Sequence, residues 1–292
     1  MFNSREKTKP MILLLTGVLI VGFSWSIGWA RIPGLSEFSF FPLWVGYILA
    51  INGISEIVLK TSLLRSMGYS FLWLFAISVS LWWFFESLNK IVMNWEYIFP
   101  YPISNTRYLI ETSIDFSTVI PSVLSTSFLV HGLLLRIFAD TKSKPIAIGN
   151  SGLVLCVLLG LLSFSLMIFF PREAFPLLWI APILILEPIC YTTGFPSWLR
   201  EVARGQHLLP ISIMTATLFT GFWWELWNYY SLPKWIYHVP YVEFLHVFEM
   251  PLLGYLGYPF FGLLVFTYAT SVMLLVGSKG IFELFAALTP QA

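Results

Sequence analysis

Residues 81–97 read LWWFFESLNKIVMNWEY, and residues 223–237 read WWELWNYYSLPKWIY. Both stretches carry Glu-x-x-Asn followed by Trp-x-Tyr: Glu86, Asn89, Trp95 and Tyr97 in the first, and Glu225, Asn228, Trp235 and Tyr237 in the second. Working outward, Trp83 and Trp224 precede the acids, and Glu111 and Glu249 each stand ten residues before a proline, Pro121 and Pro259. Further upstream, Phe41-Pro42-Leu43-Trp44 answers Phe175-Pro176-Leu177-Leu178-Trp179, with Asn52 and Glu187 each eight residues past the tryptophan. A polar pattern that recurs in the same order reads as an internal duplication, with halves at residues 1–145 and 146–292.

The remainder of the chain is oily. Of its 292 residues 58% are hydrophobic and only 11% charged, with a mean hydropathy of +0.80. That composition excludes a soluble globule with an ordinary polar surface and points to a polytopic membrane protein. A formal net charge of +1 leaves no basic face for nucleic acid. A spanning helix takes about 20 apolar residues, and eight segments meet that: 11–30, 40–59, 68–88, 115–138, 146–170, 175–197, 208–229 and 252–277. The first, preceded by Arg5, Lys7 and Lys9, has the layout of a secretory signal. The fifth holds the same place in the second half, where no signal can stand, so the first reads as a structural helix. The expected fold is therefore an all-α bundle of eight transmembrane helices, arranged as two four-helix repeats.

Cations set the orientation. Arg5, Lys7, Lys9, Lys60, Arg65, Arg136, Lys142, Lys144, Arg200, Arg204 and Lys279 fall on one side and outnumber those opposite. The positive-inside rule then makes both termini cytoplasmic, in what reads as a bacterial inner membrane, and the loops bearing Trp-x-Tyr extracytoplasmic. Four helices per half is an even number, so the repeats are parallel, related by an axis along the membrane normal.

Glu86 and Asn89 share a helix face, as do Glu225 and Asn228. Around such an axis the two faces can converge in an outer-leaflet pocket. Two neighbouring carboxyls among indoles suit acid–base chemistry, in which one acid is protonated and the other ionised. Trp83, Trp95, Tyr97, Trp224, Trp235, Tyr237, Glu111, Glu249 and His246 are the candidate substrate contacts. The competing reading makes the aromatics an interfacial belt. Asn52 and Glu187 fall near the centres of their segments, where a polar group serves either packing or a permeation route. His238 and His246 suggest metal, but the first half has no counterpart and the spacing fits no zinc pattern, so no metal site is expected. Cys156 and Cys190 lie in apolar segments and read as small core hydrophobes. Asp115 and Asp140 are the sole aspartates, which disfavours magnesium–diphosphate chemistry. No cofactor is implied.

The strings FPLWVGYI (41–48), LWWFFESLNKIVMNWEY (81–97) and DFSTVIP (115–121) resemble a widespread family of uncharacterised bacterial multi-pass membrane proteins. In composition and architecture the chain also looks like the lycopene cyclase domain proteins and the small membrane-bound terpene cyclases, although their acidic motifs do not map residue by residue. The first resemblance implies a fold and the second an isoprenoid substrate. Three functions stay open: an intramembrane acid–base enzyme acting on an isoprenoid or other lipid, a transporter using Asn52 and Glu187, and a non-catalytic scaffold. The sequence leaves the oligomeric state open.

Overall fold

The computed structural model describes residues 4–138 (side chains from Thr8), 143–277 and 280–288. The side chains of Arg5 and Lys7, and the residues Asp140, Lys142 and Lys279, lie outside the described residues. The first half of the chain supplies α1 (Ser4–Ala30), α2 (Phe40–Leu59), α3 (Leu63–Met67), α4 (Leu72–Val92), β1 (Trp95–Ile98), α5 (Asn105–Phe116) and α6 (Val119–Phe138). The second supplies α7 (Asn150–Phe169), α8 (Pro171–Ala174), α9 (Ala181–Thr193), α10 (Trp198–Ala203), α11 (Leu208–Tyr229) and β2 (Lys234–Tyr237). It ends with β3 (His246–Val247), β4 (Met250–Pro251), α12 (Gly257–Leu275) and α13 (Ile281–Ala286).

Among the described residues seven helical segments are long and apolar enough to cross a membrane: Thr8–Ala30, Phe40–Leu59, Leu63–Val92, Asn105–Phe138, Asn150–Phe169, Pro171–Thr193 and Leu252–Leu275. The chain is a multi-pass integral membrane protein with an all-α bundle, because helices satisfy their own backbone groups where no water can. The sequence pattern predicts an eighth span at 208–229. α11 occupies those residues as one helix of 22, yet it is not among the seven. Trp223, Trp224, Glu225, Trp227 and Asn228 lower its hydropathy, and Trp224, Glu225, Trp227 and Asn228 are buried inside the protein rather than turned to lipid.

Exposure separates rim from centre. α1 presents Met11, Leu15, Val18, Leu19 and Phe23 outward, and α7 presents Val154, Leu155, Leu158, Leu161 and Leu162. Helices this apolar on an exposed face belong against acyl chains. α6 is the reverse, with Ser122, Ser125, Thr126, Ser127 and His131 all buried. Small hydroxylated residues let neighbouring backbones approach closely, and α6 packs against α2, α4, α11 and α12. α12, with buried Thr267, Thr270 and Ser271, packs likewise against α4, α6, α9 and α11. At Gly46 a Cβ would meet the carbonyl of Gly17 at 2.9 Å, so α1 and α2 touch backbone to backbone.

The loops after α4 and α11, expected to be extracytoplasmic, join each other. β1 and β2 pair antiparallel with Trp95 opposite Tyr237 and Tyr97 opposite Trp235. This two-stranded ribbon ties the two Trp-x-Tyr motifs together, which the sequence pattern did not indicate.

Candidate functional site

α4 ends where its own polar residues take over the backbone. The Asn89 side chain accepts from the Asn94 and Trp95 amides (2.8 and 3.3 Å) and donates to the Trp95 carbonyl (2.8 Å), fixing the turn into β1. One turn earlier, Glu86 Oε1 accepts from Trp82 Nε1 (3.0 Å), Trp95 Nε1 (3.0 Å) and the Tyr97 hydroxyl (2.7 Å). The second motif makes the corresponding bonds. Asn228 donates to the Trp235 carbonyl (2.7 Å) and accepts from the Trp235 amide (2.9 Å). Glu225 Oε1 accepts from the hydroxyls of Tyr237 (2.7 Å) and Tyr258 (2.6 Å), while Trp235 Nε1 donates to the Tyr237 oxygen (2.8 Å). Glu225 is fully buried and its Oε2 has no hydrogen-bond partner among the described residues. Burial, reinforced by the adjacent carboxylates, pushes the Tyr97 and Tyr237 phenols well above their ordinary range, so both stay O–H donors.

One difference between the motifs has a steric cause. Four residues before Glu86 stands Trp82, whereas four before Glu225 stands Gly221. A Cβ on Gly221 would meet the Tyr258 ring at 2.6 Å, so the absent side chain makes room for the tyrosine that replaces the indole as donor. Aromatic contacts cross between the halves reciprocally. Phe85 stacks on Trp179 (5.2 Å) and Trp224 packs on Trp44 (5.0 Å), with Phe261 against Trp82 and Phe85.

These donors form part of the wall of an open pocket. Eight tryptophans line it (Trp25, Trp29, Trp82, Trp95, Trp179, Trp224, Trp227 and Trp235), with Tyr97, Tyr237, Tyr258, Phe40 and Phe261. Its polar residues include Glu37, Glu111, Asp115, Thr112, Ser231 and Lys234. Of the sequence candidates, Trp95, Tyr97, Trp224, Trp235, Tyr237 and Glu111 line the pocket. Glu86, Asn89, Glu225 and Asn228 do not; they stand behind the aromatic wall and hold it. Trp83 turns away and donates to Ser113 Oγ (2.9 Å). Trp82, at the i−4 position that meets Glu86 on a helix, takes the place expected of Trp83.

Charges ring the pocket in pairs. Arg107 bridges Glu111 (2.6 Å) and Glu37 (3.0 Å), and its guanidinium lies over the Tyr101 ring at 4.5 Å. Lys234 pairs with Glu249, which does not itself line the pocket. His246 is exposed in β3, and His238 pairs with Glu96 (3.0 Å). Among the described residues no group of three or more His, Cys, Asp or Glu is placed to hold a metal ion.

Of the two roles their segment position leaves open, Asn52 and Glu187 make the hydrogen bonds of the packing one. Asn52 accepts from the Leu64 amide (2.9 Å) and donates to Ser125 (2.9 Å) and the Ile48 carbonyl (2.8 Å). Glu187 accepts from the Leu199 amide (2.9 Å), Ser197 Oγ (2.6 Å) and Thr267 Oγ1 (2.6 Å). Leu64 and Leu199 lie in the first turns of the short helices α3 and α10, whose cap residues Ser62 and Ser197 accept from the Arg65 and Arg200 amides. Both polar side chains thus satisfy helix starts, and neither lines the pocket.

No protein-family model, curated protein or solved structure matches the chain, so the functional reading rests on this geometry.

Proposed function

We propose that the protein takes a membrane amphiphile, an isoprenoid or another lipid, into the aromatic pocket on its extracytoplasmic side. The carrying observation is the pocket itself: indole and phenol walls for an alkyl or prenyl chain, with a charged rim for a head group. Glu86, Asn89, Glu225 and Asn228 position that wall. The acid–base form of this function moves from Glu86 and Glu225, which reach the pocket only through their donors, to the carboxyls on its surface. Transport through the midplane draws no support from Asn52 and Glu187, whose bonds are those of helix anchors.

The parallel duplication belongs to the same proposal. Its support is the matching of Asn89 with Asn228, of Glu86 with Glu225, and of the Asn52–Leu64 bond with the Glu187–Leu199 bond. With α11 as an eighth span, both termini are cytoplasmic and the β1–β2 ribbon lies outside. The resemblance to uncharacterised multi-pass proteins fits this architecture and names no reaction.

Lipid extraction from purified protein followed by mass spectrometry tests the function. Wild type is expected to retain one lipid class in near-stoichiometric amount, and Ser231→Trp, which fills part of the pocket, to lose it while keeping its unfolding temperature. An identical lipid profile in both proteins overturns the proposal.

A further inference from the structure

The pocket's charges do not cancel. Arg107 is shared between Glu37 and Glu111, and Lys234 is taken by Glu249. Asp115 remains, one helical turn beyond Glu111 on the same face of α5. It lines the pocket beside Thr112 and Phe116 and is partly exposed there. No Lys, Arg or His among the described residues lies within salt-bridge reach of it. With two cations against three paired carboxylates (Glu37, Glu111 and Glu249) and the unpaired carboxyl of Asp115, the acids of the rim outnumber its bases. The walls add to this, because the face of an aromatic ring is the negative end of its quadrupole, and tryptophan attracts cations most strongly. The rim already holds one cation this way, Arg107 over Tyr101.

Resting on the lipid-binding reading, we infer that the amphiphile bound here carries a positive charge, an ammonium or comparable cationic group, with Asp115 as its counter-ion and the tryptophan faces as its cage. An anionic head would meet Glu37, Glu111 and Asp115, and its one cation of opposite sign on the lining, Lys234, is already paired. A neutral head gives Asp115 no counter-ion, whereas a cationic head pairs with its ionised form as water is expelled.

The indoles lining the site supply the readout. Intrinsic fluorescence of the full chain in lipid nanodiscs is titrated with octyltrimethylammonium, octyl glucoside and octyl sulfate, which share a chain and differ in head charge, with empty nanodiscs as blank. The expected result is saturable quenching by the ammonium at least about tenfold tighter than by either of the others. Asp115→Asn loses that preference, about tenfold or ~1.4 kcal/mol, and Asp115→Glu keeps it. Equal affinity for all three probes overturns the cationic assignment and leaves the lipid pocket standing. Saturable quenching by none of them overturns both. A preference for the ammonium that survives Asp115→Asn removes Asp115 as the counter-ion. If Asp115→Asn does not fold, the comparison of the three probes on wild type decides the assignment alone.

Discussion

Glu187 provides the sharpest separation of architecture from a membrane route. It is 2% exposed and accepts three hydrogen bonds, from Ser197 Oγ, the Leu199 amide and Thr267 Oγ1. Replacement by Leu removes every acceptor at once. Thr267 loses little, because its hydroxyl also reaches the Leu263 carbonyl at 3.0 Å. Ser197 and Leu199 lose more, since each is left with a buried donor at ~1–3 kcal/mol, and the first turn of α10 loses part of its cap. Glu187→Leu should therefore cost ~4 kcal/mol, which for a chain of this size lowers an unfolding midpoint by roughly 10 °C. Glu187→Gln keeps one oxygen for Ser197 and Leu199 and turns its amide toward Thr267 Oγ1, which accepts while donating to Leu263. Its cost should stay below ~1 kcal/mol. Thermal unfolding of the purified protein in detergent measures both. A Gln variant as unstable as the Leu variant would show that charge, rather than acceptor placement, holds α10. A Leu variant as stable as wild type would refute the anchoring role altogether.

Glu225→Gln retains an oxygen for Tyr237 and Tyr258 and should cost about 1–2 kcal/mol for its one stranded amide. Glu225→Leu should cost about 2–4 kcal/mol and release the lipid retained by wild type, read by unfolding temperature and by mass spectrometry. Gly221→Ala places a methyl 2.6 Å from the Tyr258 ring, so Tyr258 must leave Glu225 at an overpacking cost of ~1–3 kcal/mol. The same change at Gly152, where nothing lies within 4 Å, should be harmless. Cysteines substituted for Ser104 and Ser231 should label from the extracytoplasmic side; labelling only from the cytoplasm would invert the proposed orientation.

Much of this was readable from residue order, and for identifiable reasons. Glu-x-x-Asn at helical spacing had to share a face, and the apolar runs had to be helices because lipid permits little else. What the acids do there was hidden, because it depends on partners distant in sequence. Tyr258 reaches Glu225 from another helix, into space that Gly221 leaves, and a glycine among aromatics looks like a gap rather than a socket. The ribbon was hidden for a similar reason: two strands of four residues each, in loops rich in Pro and Tyr, carry too little alternation to signal a partner. The position of Glu187 left packing and permeation both open. Counting inward from the ends of 175–197 puts it at mid-depth, but α9 ends at Thr193 and the chain turns back at Ser197 to meet it.

The pairing of β1 with β2 has a consequence for synthesis. A ribosome releases Trp95 to Ile98 more than a hundred residues before their partners Lys234 to Tyr237 exist. Until then the first motif leaves the translocon with an open strand edge and one wall of its cavity missing, a state that invites mispairing or chaperone capture. The later half carries the complement, so two polypeptides severed between α6 and α7 and made in the same cell should find each other through that edge. Either one made alone should be cleared by membrane quality control.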